Sequence, residues 1–76
     1  MRITVKLKPR TLKHRIIFNR PLRSSLYSAG WFIYCESGID FVASMVNKTT
    51  THVDFRFSRR IPIKGVTKLD VVFQDA

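Results

Sequence analysis

The 76-residue chain carries 14 Lys and Arg residues against 5 Asp and Glu residues, which gives a formal net charge of +9 and a pI near 10.7. Cys35 is the only cysteine, so an intrachain disulfide is excluded, and no spacing of Cys and His is typical of a zinc site. A chain of this length buries one small core, so we expect a single small basic domain over residues 1–76.

The positive charge is the strongest functional signal in the composition. An imbalance of this size destabilises the compact state by self-repulsion, and a polyanionic partner, most commonly a nucleic acid, relieves it. The N-terminal residues alternate between polar and apolar instead of forming an apolar block, and the longest apolar run, around Trp31–Cys35, is far too short to span a bilayer. We therefore expect a cytoplasmic protein with no membrane partner, metal or cofactor.

The first predicted element is a half-buried strand over residues 2–8, where apolar side chains occupy every second position. Pro9 lacks a backbone donor and ends this strand. Residues 10–18 are predicted to form a basic loop that ends in a short extended segment at Ile16–Phe18.

The second predicted element is a helix. Asn19–Pro21 is typical of a helix start, because Asn caps free amides and Pro is tolerated in the first turn. Apolar residues then recur at helical spacing, which predicts a helix to about residue 29. Gly30 leaves an alternative open, in which it terminates the helix and Trp31–Glu36 forms a strand.

A second short helix is predicted after Ser37–Asp40, a segment that resembles a capping box. A one-sided apolar stripe follows at residues 41–46 and favours a helix there. The alternative is a hairpin that turns at Ser37–Gly38, since residues 39–46 also alternate.

Two strands are predicted in the last third of the chain. Residues 53–57 alternate Val and Phe with polar side chains, and residues 69–73 alternate in the same way after a basic loop at residues 59–65. The resulting order, β-α-α-β-β, predicts an α+β fold in which a small three-stranded antiparallel sheet has its helices on one face.

Basic and aromatic residues are interleaved along the chain, as in proteins that bind single-stranded RNA. Phe55 and Phe57 share the inward face of their predicted strand and are expected in the core, whereas Arg56 between them faces outward. A second aromatic group, Trp31, Phe32 and Tyr34, lies near Arg20 and Arg23. The candidate RNA-binding residues are the basic ones near these two groups and in the loop after Phe57: Arg20, Arg23, Arg56, Arg59, Arg60 and Lys64.

Cleavage of RNA without a metal needs a base, an acid and a cation, which His, Tyr and Lys or Arg supply. The chain offers His14, His52, Tyr27 and Tyr34. It contains no paired carboxylates, nucleophile elbow or phosphate-binding Gly loop, which disfavours hydrolases and nucleotide-binding enzymes.

Four segments carry a resemblance to a known family: residues 1–9, Asn19–Tyr27, Ser37–Asn47 and Phe55–Ser58. In this order they resemble the N-terminal part of the CRISPR repeat-processing endoribonucleases, which are RAMP-type proteins that bind repeat RNA and cut it without a metal. The resemblance implies a partial ferredoxin-like, RRM-related two-layer sandwich.

The resemblance also implies site residues. Tyr27 matches the family's active-site tyrosine, and Asn47 stands where the family has a histidine. Because asparagine cannot transfer a proton at neutral pH, His52 is the nearest alternative, and the catalytic candidates are Tyr27 and His52. The chain covers only the first part of a ferredoxin-like unit, so we expect completion by a homodimer or a larger protein complex.

The leading hypothesis is an RNA-binding protein related to the N-terminal half of these nucleases and without cleavage activity. One alternative is a minimal metal-independent ribonuclease that uses Tyr27 with His52 or His14. Another is a small phage or mobile-element protein that binds and inhibits, or assembles with, a host protein complex.

Overall fold

The computed structural model describes residues 1–74, which contain six antiparallel strands joined by loops and no helix. The strands form two sheets of three, sheet A in the order β1-β6-β3 and sheet B in the order β2-β5-β4. Their bounds are β1 (Arg2–Lys6), β2 (Lys13–Ile17), β3 (Ser28–Cys35), β4 (Ala43–Val46), β5 (His52–Phe57) and β6 (Thr67–Gln74).

The core lies between the inner faces of the two sheets. Leu69 and Val71 on β6 and Val53 and Phe55 on β5 are all 0% exposed, so the central strand of each sheet supplies the middle of the core. Trp31 on β3 meets Phe55 edge to face with ring centroids 5.2 Å apart, which joins sheet A to sheet B. The other face of each sheet is open to solvent.

The predicted α+β fold is wrong, because the described residues form an all-β structure. In place of the first predicted helix, the chain runs as a loop to Tyr27 and then enters β3. The apolar residues at helical spacing do not share one face: Leu22 and Ile33 pack against the core, whereas Leu26 is 77% exposed. No helix in the described part of the chain is long and apolar enough to cross a bilayer.

The second predicted helix, over residues 37–46, is also wrong. Gly38 has a φ of 75° and donates its amide to the Cys35 carbonyl at 3.0 Å, which makes a turn at the point that the capping-box pattern suggested. Ala43 and Met45 then pack against the core while Ser44 between them is exposed. Residues 43–46 therefore form a strand, as the alternating pattern indicates, but the alternative of a hairpin is wrong, because β3 and β4 lie in different sheets.

The strands predicted near both ends of the chain are confirmed by β1, β5 and β6. β3 confirms the alternative of a strand over the Trp31 segment, and the predicted loop at residues 10–18 becomes β2 from Lys13 onward. The ferredoxin-like arrangement with helices on one face, which the family resemblance implies, is wrong for this chain.

Candidate nucleic-acid interface

Four cationic side chains, those of Arg10, Arg59, Arg60 and Lys64, line one groove of about 550 Å³. We call it the basic groove. Among the residues that the structure describes, no carboxylate lines this groove, and its remaining walls are mainly apolar. Four like charges on one concave surface create a positive potential that attracts phosphate groups.

Two loops that are distant in sequence build the basic groove. The amide of Arg10 donates to the Ile61 carbonyl at 2.8 Å, and the amide of Ile61 donates to the Thr11 carbonyl at 3.0 Å. The guanidinium of Arg60 donates to the Arg10 carbonyl at 3.0 Å. Because the Ile61 side chain is buried in the core, the loop that carries Arg59 and Arg60 is anchored to the fold.

The backbone of Arg10 has a φ of 70°, in the left-handed region that disfavours a residue of this kind. Such strain persists where the surrounding structure holds the residue in place, and here the two-way pairing with Ile61 does so. Strained residues of this type cluster at binding sites, which agrees with the position of Arg10 in the groove. Sequence reasoning missed Arg10, because only the pairing with Ile61 brings it beside Arg59.

Of the predicted RNA contacts, the structure brings Arg59, Arg60 and Lys64 together and places the others elsewhere. Arg20 lies with Arg2 in a second groove, at the N-terminal end of β1. The basic groove contains Arg10, which comes after the C-terminal end of β1. Arg23 is exposed in the loop between β2 and β3, and Arg56 is on the outer face of sheet B.

The outer face of sheet A carries two exposed aromatic residues, Phe32 and Tyr34. The pairing of β3 with β6 places Tyr34 opposite Lys68, and the pairing of β6 with β1 places Lys68 opposite Lys6. We call these four residues the aromatic face. Strand alternation at residues 31–35 is the signal that identifies it, and the helix prediction for the preceding residues obscured that signal.

Two carboxylates on the sheets are neutralised by arginines within the fold. Arg15 Nε donates to Asp54 at 2.7 Å, and Arg2 Nε donates to Asp70 at 3.0 Å. These bonds are the main reason why the pKa of Asp54 falls to about 2 and that of Asp70 lies below its ordinary value. Both acids therefore stay ionised and paired, and they contribute little repulsion toward a phosphate.

The structure brings the two catalytic candidates together, although not through their reactive groups. Tyr27 is 1% exposed and its hydroxyl donates to the Thr49 carbonyl at 2.8 Å. The same hydroxyl is 3.5 Å from the carbonyl of His52, whose ring Nδ1 is 3.3 Å from the hydroxyls of Thr49 and Thr51. Burial raises the pKa of Tyr27. The catalytic roles of Tyr27 and His52 stay predictions.

Asn47, at the position of the family's histidine, has a structural role in this fold. Its φ of 49° is in the left-handed region, which asparagine tolerates. Asn47 directly follows Val46, the last residue of β4. Its side-chain amide donates to Asp54 at 3.1 Å. His14, the other histidine, is half-buried on β2, where desolvation and then the charge of Lys8 lower its pKa.

No group of three His, Cys, Asp or Glu side chains that could hold a metal ion occurs within residues 1–74. Comparison with known protein families, curated proteins and solved structures finds no match for this chain. The resemblance to the CRISPR repeat-processing endoribonucleases therefore stays a prediction from short motifs.

Proposed function

We propose that this protein binds RNA and that the basic groove holds the phosphates of the RNA backbone. The observation that carries the proposal is the meeting of Arg10, Arg59, Arg60 and Lys64 on one concave surface without a carboxylate in its lining. Arginine forks and lysine ammonium groups are the side chains that proteins use for phosphate contacts. The excess of cations over the whole chain adds a long-range attraction toward the same ligand.

The exposed positions of the four cations favour binding by phosphate contact. Arg10, Arg59, Arg60 and Lys64 are all exposed, and neither of the described ion pairs involves them. Their charges are therefore available to a ligand, in contrast to those of Arg2 and Arg15, which are already matched. A cytoplasmic location is part of this proposal, because RNA is found there and an unpaired thiol such as Cys35 suits a reducing compartment.

The proposed function contains no cleavage step. The hydroxyl of Tyr27 is buried and its proton is engaged by the Thr49 carbonyl, so a substrate reaches it only after local rearrangement. Binding alone accounts for the features that the basic groove presents.

The proposal is tested by fluorescence anisotropy with single-stranded RNA, duplex RNA and duplex DNA over a salt series. We expect RNA to be preferred and the affinity to fall as salt rises. The double variant Arg59→Gln, Lys64→Gln should bind RNA more weakly and lower the slope of log K against log salt by about 0.7 for each lost contact with a single strand.

The matched control is the double variant Arg20→Gln, Arg23→Gln, which removes the same charge at positions outside the basic groove. We expect its affinity for RNA to change less than that of the groove variant. Equal losses in the two variants, or equal weak binding to every polyanion, would show that the charge acts as a general surface property. An absence of RNA binding by the wild-type protein would direct the search to a protein partner.

A further inference from the structure

The aromatic face exposes two large rings that the core does not use. Phe32 is 68% exposed and Tyr34 is 49% exposed. They are two residues apart on β3, so they project from the same side of the sheet and are about 7 Å apart along the strand. Two open aromatic side chains on one small sheet are typical of a surface that contacts a ligand.

The charged residues near these rings are two lysines and one acid: Lys68 is opposite Tyr34, and Asp70 is opposite Phe32. Tyr34, Lys68 and Lys6 form one row across the three strands of sheet A. The single acid among the described residues of this outer face is Asp70, whose carboxylate accepts hydrogen bonds from Arg2 and from Thr4, each at 3.0 Å. The face therefore presents two lysines beside two rings, while its acid is matched within the protein.

A hollow beside Phe32 leaves room for a flat ligand. Gly30 precedes Phe32 by two residues on the same face, and a Cβ atom at Gly30 would meet nothing within 4 Å. The hollow has a volume of about 260 Å³ and is lined by Gly30, Trp31, Phe32, Asp70 and Val72. The carboxylate of Asp70 is paired with Arg2, so its charge is matched within the protein. An aromatic ring of a ligand can therefore lie along Phe32 without displacing a side chain.

We propose that the aromatic face stacks two unpaired bases of RNA, one on Phe32 and one on Tyr34, while Lys6 and Lys68 contact the adjoining phosphates. This inference rests on the proposed RNA binding and specifies its ligand as single-stranded RNA. Bases within a duplex are stacked on each other and cannot reach the rings, whereas unpaired bases stack on exposed aromatic side chains.

The position of β3 connects the aromatic face with the basic groove. β3 runs through Phe32 and Tyr34, and the chain reaches Ser37, which lines the basic groove, three residues after Tyr34. A strand of RNA on the face can therefore continue into the groove. A second copy of this chain fits the face less well, because two-fold pairing through this face would add Lys6 and Lys68 of the other copy to a surface that already carries two lysines.

The test compares the full chain with its Phe32→Thr and Tyr34→Thr variants, since threonine keeps a high strand propensity but has no ring. The probes are a short unpaired oligouridine and a blunt RNA duplex of the same length, and binding is measured by fluorescence anisotropy. Each variant should bind oligouridine about 5- to 150-fold more weakly. The slope of log K against log salt and the duplex affinity should stay unchanged, because no phosphate contact is removed.

Two variants serve as controls. Phe32→Tyr keeps a ring and should retain the wild-type affinity for oligouridine. Leu26→Thr removes an exposed apolar side chain from the loop between β2 and β3 and should not change that affinity. If a threonine variant fails to fold, Phe32→Leu and Tyr34→Leu keep the apolar surface without the ring and should show the same selective loss.

The failure of this inference and the failure of RNA binding give different results. Wild-type affinity for oligouridine in a folded Phe32→Thr, Tyr34→Thr double variant, together with weak binding by the Arg59→Gln, Lys64→Gln variant, would overturn the stacking proposal and leave the basic groove in place. An absence of binding by the wild-type protein to either RNA would overturn both proposals.

Discussion

The guanidinium of Arg15 on β2 donates from Nε to Oδ1 of Asp54 on β5 at 2.7 Å, between two residues that are direct partners in the antiparallel register. Asp54 is buried, and the amide of Asn47 donates to its other oxygen at 3.1 Å. The carboxylate thus joins β2, β5 and the end of β4 across the outer face of sheet B.

Acid should weaken the fold through Asp54. Because its pKa is lowered from 3.8 to about 2, the ionised carboxylate stabilises the folded state above pH 3.8, and this contribution is lost as the pH falls toward 2. The Asp54→Asn variant should be less stable at neutral pH and should show a smaller loss of stability over that range, measured by urea unfolding followed by circular dichroism. Asp40→Asn, at an exposed position, is the control and should behave as the wild type.

His14 should make the stability depend on pH in a higher range. Its pKa in the folded state lies below 6.5, so the unfolded chain binds a proton more readily, and the free energy of unfolding should fall as the pH drops below 6.5. The His14→Gln variant should show a flatter profile there. Proton NMR of the His14 ring should give a midpoint below 6.5, and a midpoint above that value would contradict the expectation.

The Arg10→Asn variant should separate stability from binding. Asparagine tolerates the left-handed backbone at this position, so the free energy of unfolding should rise by about 1 kcal/mol, while RNA affinity falls with the lost cation. Arg59→Asn is the matched control, because Arg59 does not have a positive φ and should lose affinity without gaining stability. Thermal unfolding and anisotropy measure the two effects, and a loss of stability in Arg10→Asn would refute the strain argument.

The Tyr27→Phe variant should lower the free energy of unfolding by about 1 kcal/mol, because it removes the hydrogen bond to the Thr49 carbonyl. RNA affinity should stay unchanged. Tyr34→Phe, at an exposed position on the other side of sheet A, should leave stability unchanged. Incubation of the wild type with RNA in EDTA tests the catalytic prediction, and cleavage that disappears in a stable Tyr27→Phe variant would support it.

The Gly65→Ala variant should destabilise the fold by at least about 1 kcal/mol, since Gly65 has a φ of 77° and a Cβ there would lie 2.9 Å from Oε1 of Glu36. Gly30→Ala is the control, because its Cβ would meet no neighbour and alanine loses less backbone entropy in a strand. Chemical unfolding should give a lower midpoint for the first variant and an equal or higher midpoint for the second.

Sequence patterns predict three of the six strands well, for a physical reason. The segments of β1, β5 and β6 alternate without an interrupting Gly or Pro, and strict alternation of this kind favours a half-buried strand over a helix. The sequence likewise predicts that Arg59 and Lys64 lie close together, because they share one loop.

The remaining elements depend on packing that no local pattern contains. The spacing of Leu22, Leu26 and Ile33 is that of a helix with one apolar face. Only the solvent exposure of Leu26 shows that these side chains do not share a buried face. Arg10 enters the basic groove through its pairing with Ile61, a residue far along the chain. The aromatic face exists only because residues 28–35 form a strand, which places Phe32 and Tyr34 on the same side of sheet A.

The order of the strands has a consequence for how the molecule is made. The central strands, β5 and β6, follow the other four described strands in sequence, so β1 and β3 have no native hydrogen-bonding partner until β6 has been synthesised. Pairings such as Arg2 with Val72 close almost the whole chain into a loop, and non-local pairing of this kind slows folding. During translation, β1 and β3 therefore lack their native partner until β6 has emerged from the ribosome, and sheet A assembles only then.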